Sequence, residues 1–447
     1  MNIALINPPF FFKSRVGRSH CIGLRIFSSM FKEHGHTVTF LDSLLLGFHN
    51  RRQYANGLRV GLEVEDIVAR IPAGVDMIGL TVPFSSLAPL VHTIAAALKS
   101  RFPHTPLLMG GVYPSTQPQL ALTSEADYVV VGEGENVVTG ISEGKQLEQL
   151  QGVYTRDQRA TLFEPAAPVE DLDTLPFPDC SVPHIEQYWR VSPRTRTSCA
   201  SMITSRGCPF DCEFCSIHPV CGWKWRARSA DNVLEEIHYL AAGHNIQMIE
   251  IEDDNFTLNR KRTVAILNGI VELNKKRHLD WAVPNGLRID TLDEETIALM
   301  KKSNCKFINI PLEHGDREML RIMNKKLDVE KAYDVIKLCL KYDIEVRVFV
   351  LVGYPGETAE RFERSIDFLK RIHLLGKIII VPLKAQPYPG TRLLDRCRNE
   401  GAVWDPYYDN FLVRKDIMNT EDTAFITDEF DYREIERRKE RIISVFN

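Results

Sequence analysis

Short apolar segments alternate with amphipathic helical segments along most of the sequence, in two runs separated by a proline-rich stretch. A strand, a helix and a further strand in succession build a parallel sheet, because the helix carries the chain back to the same edge. Two such runs therefore predict two α/β domains. At roughly 150 residues per domain, 447 residues are enough for both.

The first run begins with the apolar strand Asn2–Asn7 and ends at about residue 145. Further apolar segments of strand type occur at residues 37–41, 77–81, 107–110 and 128–131. Segments with helical periodicity separate them, at residues 23–34, 63–71, 86–102 and 118–123. This pattern predicts a doubly wound, Rossmann-like parallel sheet over residues 1–145. Ligands of such sheets bind beyond the carboxyl ends of the strands.

The second run predicts a partial (β/α)6 barrel over residues 196–395. Its strands are expected at residues 200–205, 248–252, 281–284, 307–311, 345–351 and 378–383, and helical segments follow the first five of them. Six repeats make three quarters of an eight-fold TIM barrel, and the open side can admit a substrate. The proline-rich residues 146–195 are the predicted linker, and residues 396–447 are the predicted C-terminal region on the substrate side.

Composition and charge exclude several other classes of protein. The chain is 44% hydrophobic and 26% charged, which is typical of a soluble globular protein and not of a disordered chain or a coiled coil. A net charge of -4 provides no broad basic field for DNA or anionic lipid. The apolar stretches fall well short of the ~20 residues of a membrane span, and the apolar start lacks a preceding basic region. We therefore expect a cytoplasmic protein with no membrane span.

Three cysteines follow the first strand of the second run. Cys208, Cys212 and Cys215 have the spacing C-x3-C-x2-C. Ten cysteines are too few for a disulfide scaffold in a chain of this length, so clustered cysteines indicate a metal site. Three thiolates from one loop can bind three irons of a [4Fe-4S] cluster and leave the fourth iron open. The alternatives are a zinc site completed by His218 or Cys221, and three unrelated thiols.

This cysteine triplet, with the aromatic Phe214 before its last member, resembles the motif of the radical S-adenosylmethionine (SAM) superfamily. The first run resembles the cobalamin-binding domain found in the B12-dependent branch of that superfamily. The resemblance implies a [4Fe-4S] cluster held by Cys208, Cys212 and Cys215, with SAM on the open iron. It also implies a bound cobalamin and an electron donor such as flavodoxin or ferredoxin.

Further segments of the second run resemble SAM-binding elements of the same family. Glu252, Asp253 and Asp254 end the second strand and resemble the family's segment for the SAM amino group, and carboxylates suit an ammonium group. A solvated carboxylate cluster is the alternative. Glu313 ends the fourth strand, where the family places a polar residue on the SAM ribose. The glycine-rich loop after the fifth strand resembles the adenine-side loop, and its glycines are Gly353 and Gly356.

Glycine-rich loops of the first run resemble those of the cobalamin-binding domain. Their members are Gly110, Gly111, Gly132 and Gly134. Glycine lets the backbone pass close to a corrin ring or to its nucleotide tail. The D-x-H-x-x-G motif that supplies a histidine to cobalt is absent, since the string around His20 has Arg18 at the Asp position. We therefore expect cobalamin without a histidine ligand. A vestigial domain that binds no corrin remains an alternative.

The resemblance implies methylation of an unactivated carbon, or of phosphorus, in a small-molecule biosynthetic intermediate. The reaction would use a 5'-deoxyadenosyl radical and methylcobalamin. Oxidative cyclisation or ring rearrangement with cobalamin is an alternative in the same superfamily, and a non-catalytic iron-sulfur or corrinoid carrier is one outside it. Lys224, Arg226 and Arg228 lie beside Trp223 and Trp225 and could hold a nucleotide. We interpret them as pocket residues and expect no nucleic-acid partner.

Overall fold

A computed structural model describes residues 1–12, 21–54, 57–158, 162–189, 197–402, 427 and 429–446. The chain divides into two compact units. The first contains the described residues within Met1–Tyr188 and Ser216–Gly222, and the second contains those within Trp189–Cys215, Trp223–Trp404 and Ala424–Asn447. Arg18 and His20, and most of the predicted C-terminal region between residues 403 and 426, lie outside the described residues.

The first unit is built on a six-stranded sheet in the order β3-β1-β6-β7-β8-β9. Its strands are β1 (Asn2–Asn7), β3 (Thr37–Asp42), β6 (Met77–Thr81), β7 (Leu107–Gly110), β8 (Tyr128–Val130) and β9 (Val153–Thr155). All pairs are parallel except β8 with β9. Residues 3–7 of β1 are buried, as expected for a central strand with both faces covered.

Helices flank this sheet, most of them on the connections between its strands and the last two beyond β9. They span Ile22–Glu33, Ser43–Leu46, Val64–Ala69, Ala88–Arg101, Val112–Thr116, Pro118–Ala121, Glu135–Ser142, Ile185–Tyr188 and His218–Cys221, with 3-10 turns at Ser85–Leu87, Leu147–Gln149 and Leu172–Thr174. A small antiparallel sheet in the order β2-β5-β4 was not predicted. It consists of β2 (Phe10–Phe12), β4 (Arg51–Tyr54) and β5 (Gly57–Val60). The prediction missed this sheet because the charged sequence of β4 lacks the apolar alternation of a half-buried strand.

The predicted linker packs onto the first unit over its described length. Part of it forms β9, which pairs with β8. Further along, Asp179 accepts hydrogen bonds from Ser28 Oγ and Lys32 Nζ, both at 2.6 Å and both on the helix Ile22–Glu33. The first unit consequently continues to Tyr188, beyond the boundary that we placed at residue 145.

The second unit has the predicted barrel sheet, with six parallel strands in chain order, β10-β13-β14-β15-β16-β17. These strands are β10 (Cys199–Met202), β13 (Met248–Ile251), β14 (Asp280–Val283), β15 (Cys305–Glu313), β16 (Glu345–Val352) and β17 (Ile378–Lys384). A two-stranded ribbon, β11 (Ser205–Arg206) with β12 (Arg226–Ala227), encloses the cysteine segment. The predicted combination of a doubly wound sheet and a partial (β/α)6 barrel is confirmed.

Helices follow the barrel strands and begin at side-chain caps. They span Ala230–His238 (continued by a π-turn, Tyr239–Gly243), Arg260–Asn274, Glu294–Lys302, Arg317–Ile322, Val329–Lys341, Ala359–His373, Arg392–Asn399 and Tyr432–Phe446, with a 3-10 turn at Ile289–Thr291. Asn259, Asp293 and Thr358 are among the caps, and each accepts a backbone N–H three residues further along. The C-terminal helix Tyr432–Phe446 packs against β17. None of the described helices is both long and apolar enough to cross a membrane.

Candidate active site

The three cysteines lie between β11 and β12, in the loop that follows the first barrel strand, and each thiol is half-buried. The Cys215 N–H donates to the Cys212 carbonyl over 3.2 Å, which forms a tight turn. In the described part of the chain, no three His, Cys, Asp or Glu side chains converge on a point that could hold a metal ion. Each thiolate of a [4Fe-4S] cluster binds a different iron, so its ligands need not converge on one point. Three thiols in one loop are the donor set that such a cluster requires.

The residues between the cysteines are fixed to the barrel by polar contacts. Asn324 Nδ2 donates to the Asp211 carbonyl over 2.6 Å, and Arg392 pairs with the Asp211 carboxylate at 2.7 Å. Glu213 accepts from Tyr354 Oη at 2.5 Å and from Arg396 at 3.1 Å. The cysteine loop is therefore positioned from several barrel elements.

Two buried cations lie beside the cysteine loop. The Arg288 guanidinium is 3.6 Å from the centre of the Phe210 ring, and Lys325 Nζ is 5.7 Å from that of Phe214. Burial raises the pKa of Cys212, and the charges of Lys325 and Arg288 act against that increase. The positive charges favour thiolates, which are the ligand form of cysteine. Neither residue was predicted, because lysines and arginines in polar stretches are typical of a solvated surface.

Glu313 is held by one of these cations. It ends β15 next to an irregularity in the pairing with β16, and its backbone has the left-handed φ of 66°. Its carboxylate accepts from Lys325 Nζ over 2.9 Å, and both side chains are buried. If the SAM ribose binds here, its hydroxyls and Lys325 would therefore both donate to the Glu313 carboxylate.

The acidic segment after β13 separates into members with different environments. Asp253 is 1% exposed, and its oxygens accept hydrogen bonds from Thr204 N–H, Thr204 Oγ1 and Ser205 Oγ at 2.5, 2.5 and 2.6 Å. These contacts occupy both oxygens of Asp253 and fix the residues that precede the cysteine loop. The SAM contact that the resemblance implies for Asp253 would have to share these oxygens with Thr204 and Ser205.

Glu252 and Asp254 remain accessible in the same segment. Glu252 is half-buried and accepts from Ser201 Oγ over 3.1 Å, whereas Asp254 is exposed. Desolvation raises the pKa of Glu252 to about 7, and the nearby Glu250 carboxylate is the second cause. A bound ammonium group would replace the missing solvation and restore the charged form of Glu252.

The loop after β16 contains both predicted SAM-side glycines in left-handed backbone, with φ of 77° at Gly353 and 89° at Gly356. The Gly353 N–H donates to Glu357 Oε2 over 2.8 Å. Tyr354 is buried, and its ring packs edge-on against Phe214 with 6.3 Å between ring centres. The structure thus brings this loop together with the cysteine loop.

In the first unit, the predicted glycines cluster at the carboxyl edge of the sheet, around the ends of β7 and β8. At Gly111, with φ of 112°, a Cβ would lie 2.7 Å from the Val82 carbonyl oxygen. At Gly134 it would lie 2.7 Å from the Phe27 ring, and at Gly132 2.8 Å from Pro165. The chain's own packing therefore requires these glycines, while a Cβ at Gly110 would make only an ordinary contact.

The same edge offers groups that suit an amide-rich ligand such as cobalamin. Gln117 Oε1 is buried and has no hydrogen-bond partner within the described ranges. Phe84 follows β6 and is 53% exposed, which provides an apolar surface. An unsatisfied buried acceptor is costly, so a ligand N–H at Gln117 would be stabilising.

Sequence reasoning missed a buried network at this edge. Asp42 ends β3 and accepts from Asn7 Nδ2 at 3.1 Å, from Cys21 Sγ at 3.3 Å and from Tyr188 Oη. Burial raises the pKa of Asp42 despite these hydrogen bonds. A buried strand followed by Asp was the available signal, but nothing in the sequence identified Tyr188 as its partner.

Comparisons with known proteins agree with these two units. A model of the radical SAM superfamily matches residues 202–369, and a model of the B12 binding domain matches residues 11–142. An uncharacterized methyltransferase from Pyrococcus horikoshii is 29% identical over 88% of this chain and 82% of its own length. Cytidylyl-2-hydroxyethylphosphonate methyltransferase from Streptomyces wedmorensis is 26% identical over 90% of this chain and 83% of its own.

A solved structure shows the same fold. It is the radical SAM methyltransferase TsrM from Kitasatospora setae with cobalamin and a [4Fe-4S] cluster bound, at a TM-score of 0.70 and 20% identity. The match covers 90% of this chain and 78% of TsrM. The fold and the matched domains define a radical SAM enzyme. The chain also has a B12 binding domain, so its cofactors are a [4Fe-4S] cluster, SAM and cobalamin.

Proposed function

We propose that this enzyme transfers a methyl group from SAM, by way of cobalamin, to an unactivated carbon or to phosphorus of a small-molecule biosynthetic intermediate. The observation that carries the proposal is the extent of its similarity to methyltransferases. Both relatives named above align over at least 88% of this chain, so the similarity includes the cobalamin-binding unit as well as the barrel. The phosphonate methyltransferase supports a small-molecule substrate.

We assign the iron-sulfur cluster to the thiolates of Cys208, Cys212 and Cys215. Arg288 and Lys325 would offset part of the negative charge that three thiolates bring to the loop. Phe214 and Tyr354 would form an apolar wall beside the cysteines and limit the access of water. When bound, the three cofactors supply the radical and methyl-transfer chemistry, and the chain supplies orientation and exclusion of solvent.

We assign SAM to the carboxyl ends of β13, β15 and β16. Glu252 and Asp254 would accept hydrogen bonds from the ammonium group, and the accessible side of Glu313 would accept from the ribose hydroxyls. The backbone around Gly353 and Gly356 would lie along the adenine, and its course depends on the left-handed φ of both residues, which glycine adopts without strain.

We assign cobalamin to the carboxyl edge of the first sheet. Gly110, Gly111, Gly132 and Gly134 would form the backbone surface beneath it, and Gln117 would accept one of its amide N–H groups. The cluster must be reduced for each turnover, so the proposal also includes a one-electron donor of flavodoxin or ferredoxin type. It further includes a cytoplasmic location.

The test follows the SAM methyl group and needs no knowledge of the substrate. Anaerobically reconstituted protein is loaded with hydroxocobalamin, reduced with titanium citrate and supplied with methyl-labelled SAM. We expect label on the cobalamin together with S-adenosylhomocysteine. A parallel reaction under dithionite is assayed for 5'-deoxyadenosine. If this product forms while the cobalamin of the first reaction carries no label, the cyclisation or rearrangement alternative is favoured instead.

A further inference from the structure

The loop of residues 353–358 is anchored by the C-terminal helix Tyr432–Phe446. At Gly353, side-chain atoms of Ile435 lie 2.6 and 2.7 Å from the position that a Cβ would occupy. A side chain at Gly353 would have to displace Ile435, and the φ of 77° would strain its backbone in addition. The turn of the helix that carries Ile435 is thus in direct contact with the loop backbone.

Glu357 lies at the other end of this loop and is completely buried. Its carboxylate accepts from the Gly353 N–H at 2.8 Å, from Arg438 at 2.9 Å and from His314 Nε2 at 3.1 Å. The Asp316 N–H donates to His314 Nδ1 over 3.0 Å, so Nε2 carries the imidazole proton of a neutral ring. Glu357 therefore joins the loop to the end of β15 and to the C-terminal helix.

Arg438 neutralises the buried carboxylate of Glu357. It is 4% exposed and also donates to the Glu357 carbonyl at 2.8 Å and to Glu434 at 2.9 Å. Its guanidinium lies over the rings of Phe362 and Phe430, at 5.2 and 5.6 Å from their centres. A fully buried carboxylate needs such a partner, because unpaired burial of a charge is costly.

We propose that Arg438 and Ile435 are positioning residues for SAM, which set the backbone of residues 353–358 from the C-terminal helix. The inference rests on the proposed function, because it assigns that loop to SAM. Tyr354 extends the effect to the cysteine loop, through its hydrogen bond to Glu213. The C-terminal helix thereby acts on the SAM site through Glu357 and the backbone at Gly353.

The test compares two arginines on this helix. Arg438→Met removes the contact with Glu357, whereas Arg441→Met removes an exposed ion pair with Glu363, one turn further along. Iron content, thermal unfolding and the SAM dissociation constant, from equilibrium dialysis of the reconstituted holoenzyme, are measured for each. We expect Arg438→Met to weaken SAM binding by at least about tenfold at unchanged iron content. Arg438→Lys should recover part of the loss, and Arg441→Met should bind as the unmodified enzyme does.

Ile435→Ala provides a second variant, because it leaves the buried charges intact. It should weaken SAM binding by about threefold, since only packing under Gly353 is lost. This variant decides the question if Arg438→Met does not fold. The inference is overturned if the unmodified enzyme binds SAM and the folded variants among Arg438→Met and Ile435→Ala bind it equally well. If the unmodified holoenzyme itself does not bind SAM, the proposed function fails instead.

Discussion

Adjacent residues of the same charge have different roles in this site. Asp253 and Asp254 are indistinguishable in the sequence, yet Asp253 is buried with three hydrogen bonds and Asp254 is exposed. Both residues lie in the loop after β13, where Asp253 turns towards Thr204 and Ser205 and Asp254 faces solvent. A motif therefore identifies the segment, and only the three-dimensional environment assigns the member that contacts a ligand.

Asp253→Asn should lower the iron content of the reconstituted protein and its stability. The carboxylate fixes Thr204 and Ser205 just before the cysteine loop, and an amide cannot accept at both ends. We expect a loss of about 1–3 kcal/mol in the free energy of unfolding, measured by urea denaturation. Asp254→Asn is the matched control and should leave both quantities unchanged. Equal iron content in the two variants would contradict the positioning role of Asp253.

The raised pKa of Glu252 predicts pH-dependent SAM binding. With a pKa of about 7, the side chain is largely protonated in weakly acidic solution and must lose its proton to accept from an ammonium group. SAM affinity should therefore rise with pH, by up to about tenfold between about pH 6 and pH 8. Equilibrium dialysis across this range measures the effect. Desolvation also raises the pKa of the neighbouring Asp254 to about 7. Glu252→Gln should therefore reduce the pH dependence, and the double variant Glu252→Gln, Asp254→Asn should abolish it. An unchanged profile in Glu252→Gln would exclude Glu252 as a source.

Whole strands and helices were predictable wherever an apolar run or a cap marks them. The barrel strands were expected within a few residues of their observed bounds, because a strand that is buried on both faces is a continuous apolar run. The largest differences are at β10, which ends three residues before the predicted end, and at β15, which extends two residues beyond the predicted bounds on each side, to Glu313 at an irregularity in its pairing. Charged residues that become buried through distant partners gave no such signal. Lys325 and Arg438 are of this kind, since their partners Glu313 and Glu357 are far from them in sequence.

The buried pair of Lys325 and Glu313 connects the end of β15 with the turn after the helix Arg317–Ile322. Lys325→Met should cost about 3–5 kcal/mol in the free energy of unfolding, because it leaves Glu313 buried and unpaired. The double variant Lys325→Met, Glu313→Gln should recover most of that loss, since no charge is then buried. Denaturant unfolding of the single and double variants measures the coupling. Equal losses in both would show that the ion pair contributes no coupling energy.

For the whole molecule, the division into a cobalamin-binding unit and a radical SAM barrel followed from the two β/α runs and the cysteine triplet. The boundary between the two units did not follow from the sequence, because a proline-rich segment resembles a linker even where it packs against a domain. Here Asp179 and Tyr188 attach that segment to the first unit, through Ser28, Lys32 and Asp42. Such contacts depend on residues well over a hundred positions apart, which local patterns do not encode.

Cobalamin bound to the holoenzyme should have no protein histidine on cobalt. The argument comes from the sequence, which has Arg18 at the position where the D-x-H-x-x-G motif has the aspartate that orients the imidazole. Electron paramagnetic resonance of bound cob(II)alamin measures this directly, and we expect no nitrogen coupling from a protein imidazole. Coupling that disappears in His20→Ala would show that the expectation is wrong.

Cleavage of SAM by the reconstituted protein tests the central assignment most directly. Under dithionite and without oxygen, the unmodified chain should form 5'-deoxyadenosine, and Cys221→Ala should do so at a similar rate. Alanine at Cys208, Cys212 or Cys215 should abolish this product, and the triple variant should lose its iron. Unchanged iron content and SAM cleavage in the triple variant would contradict the account.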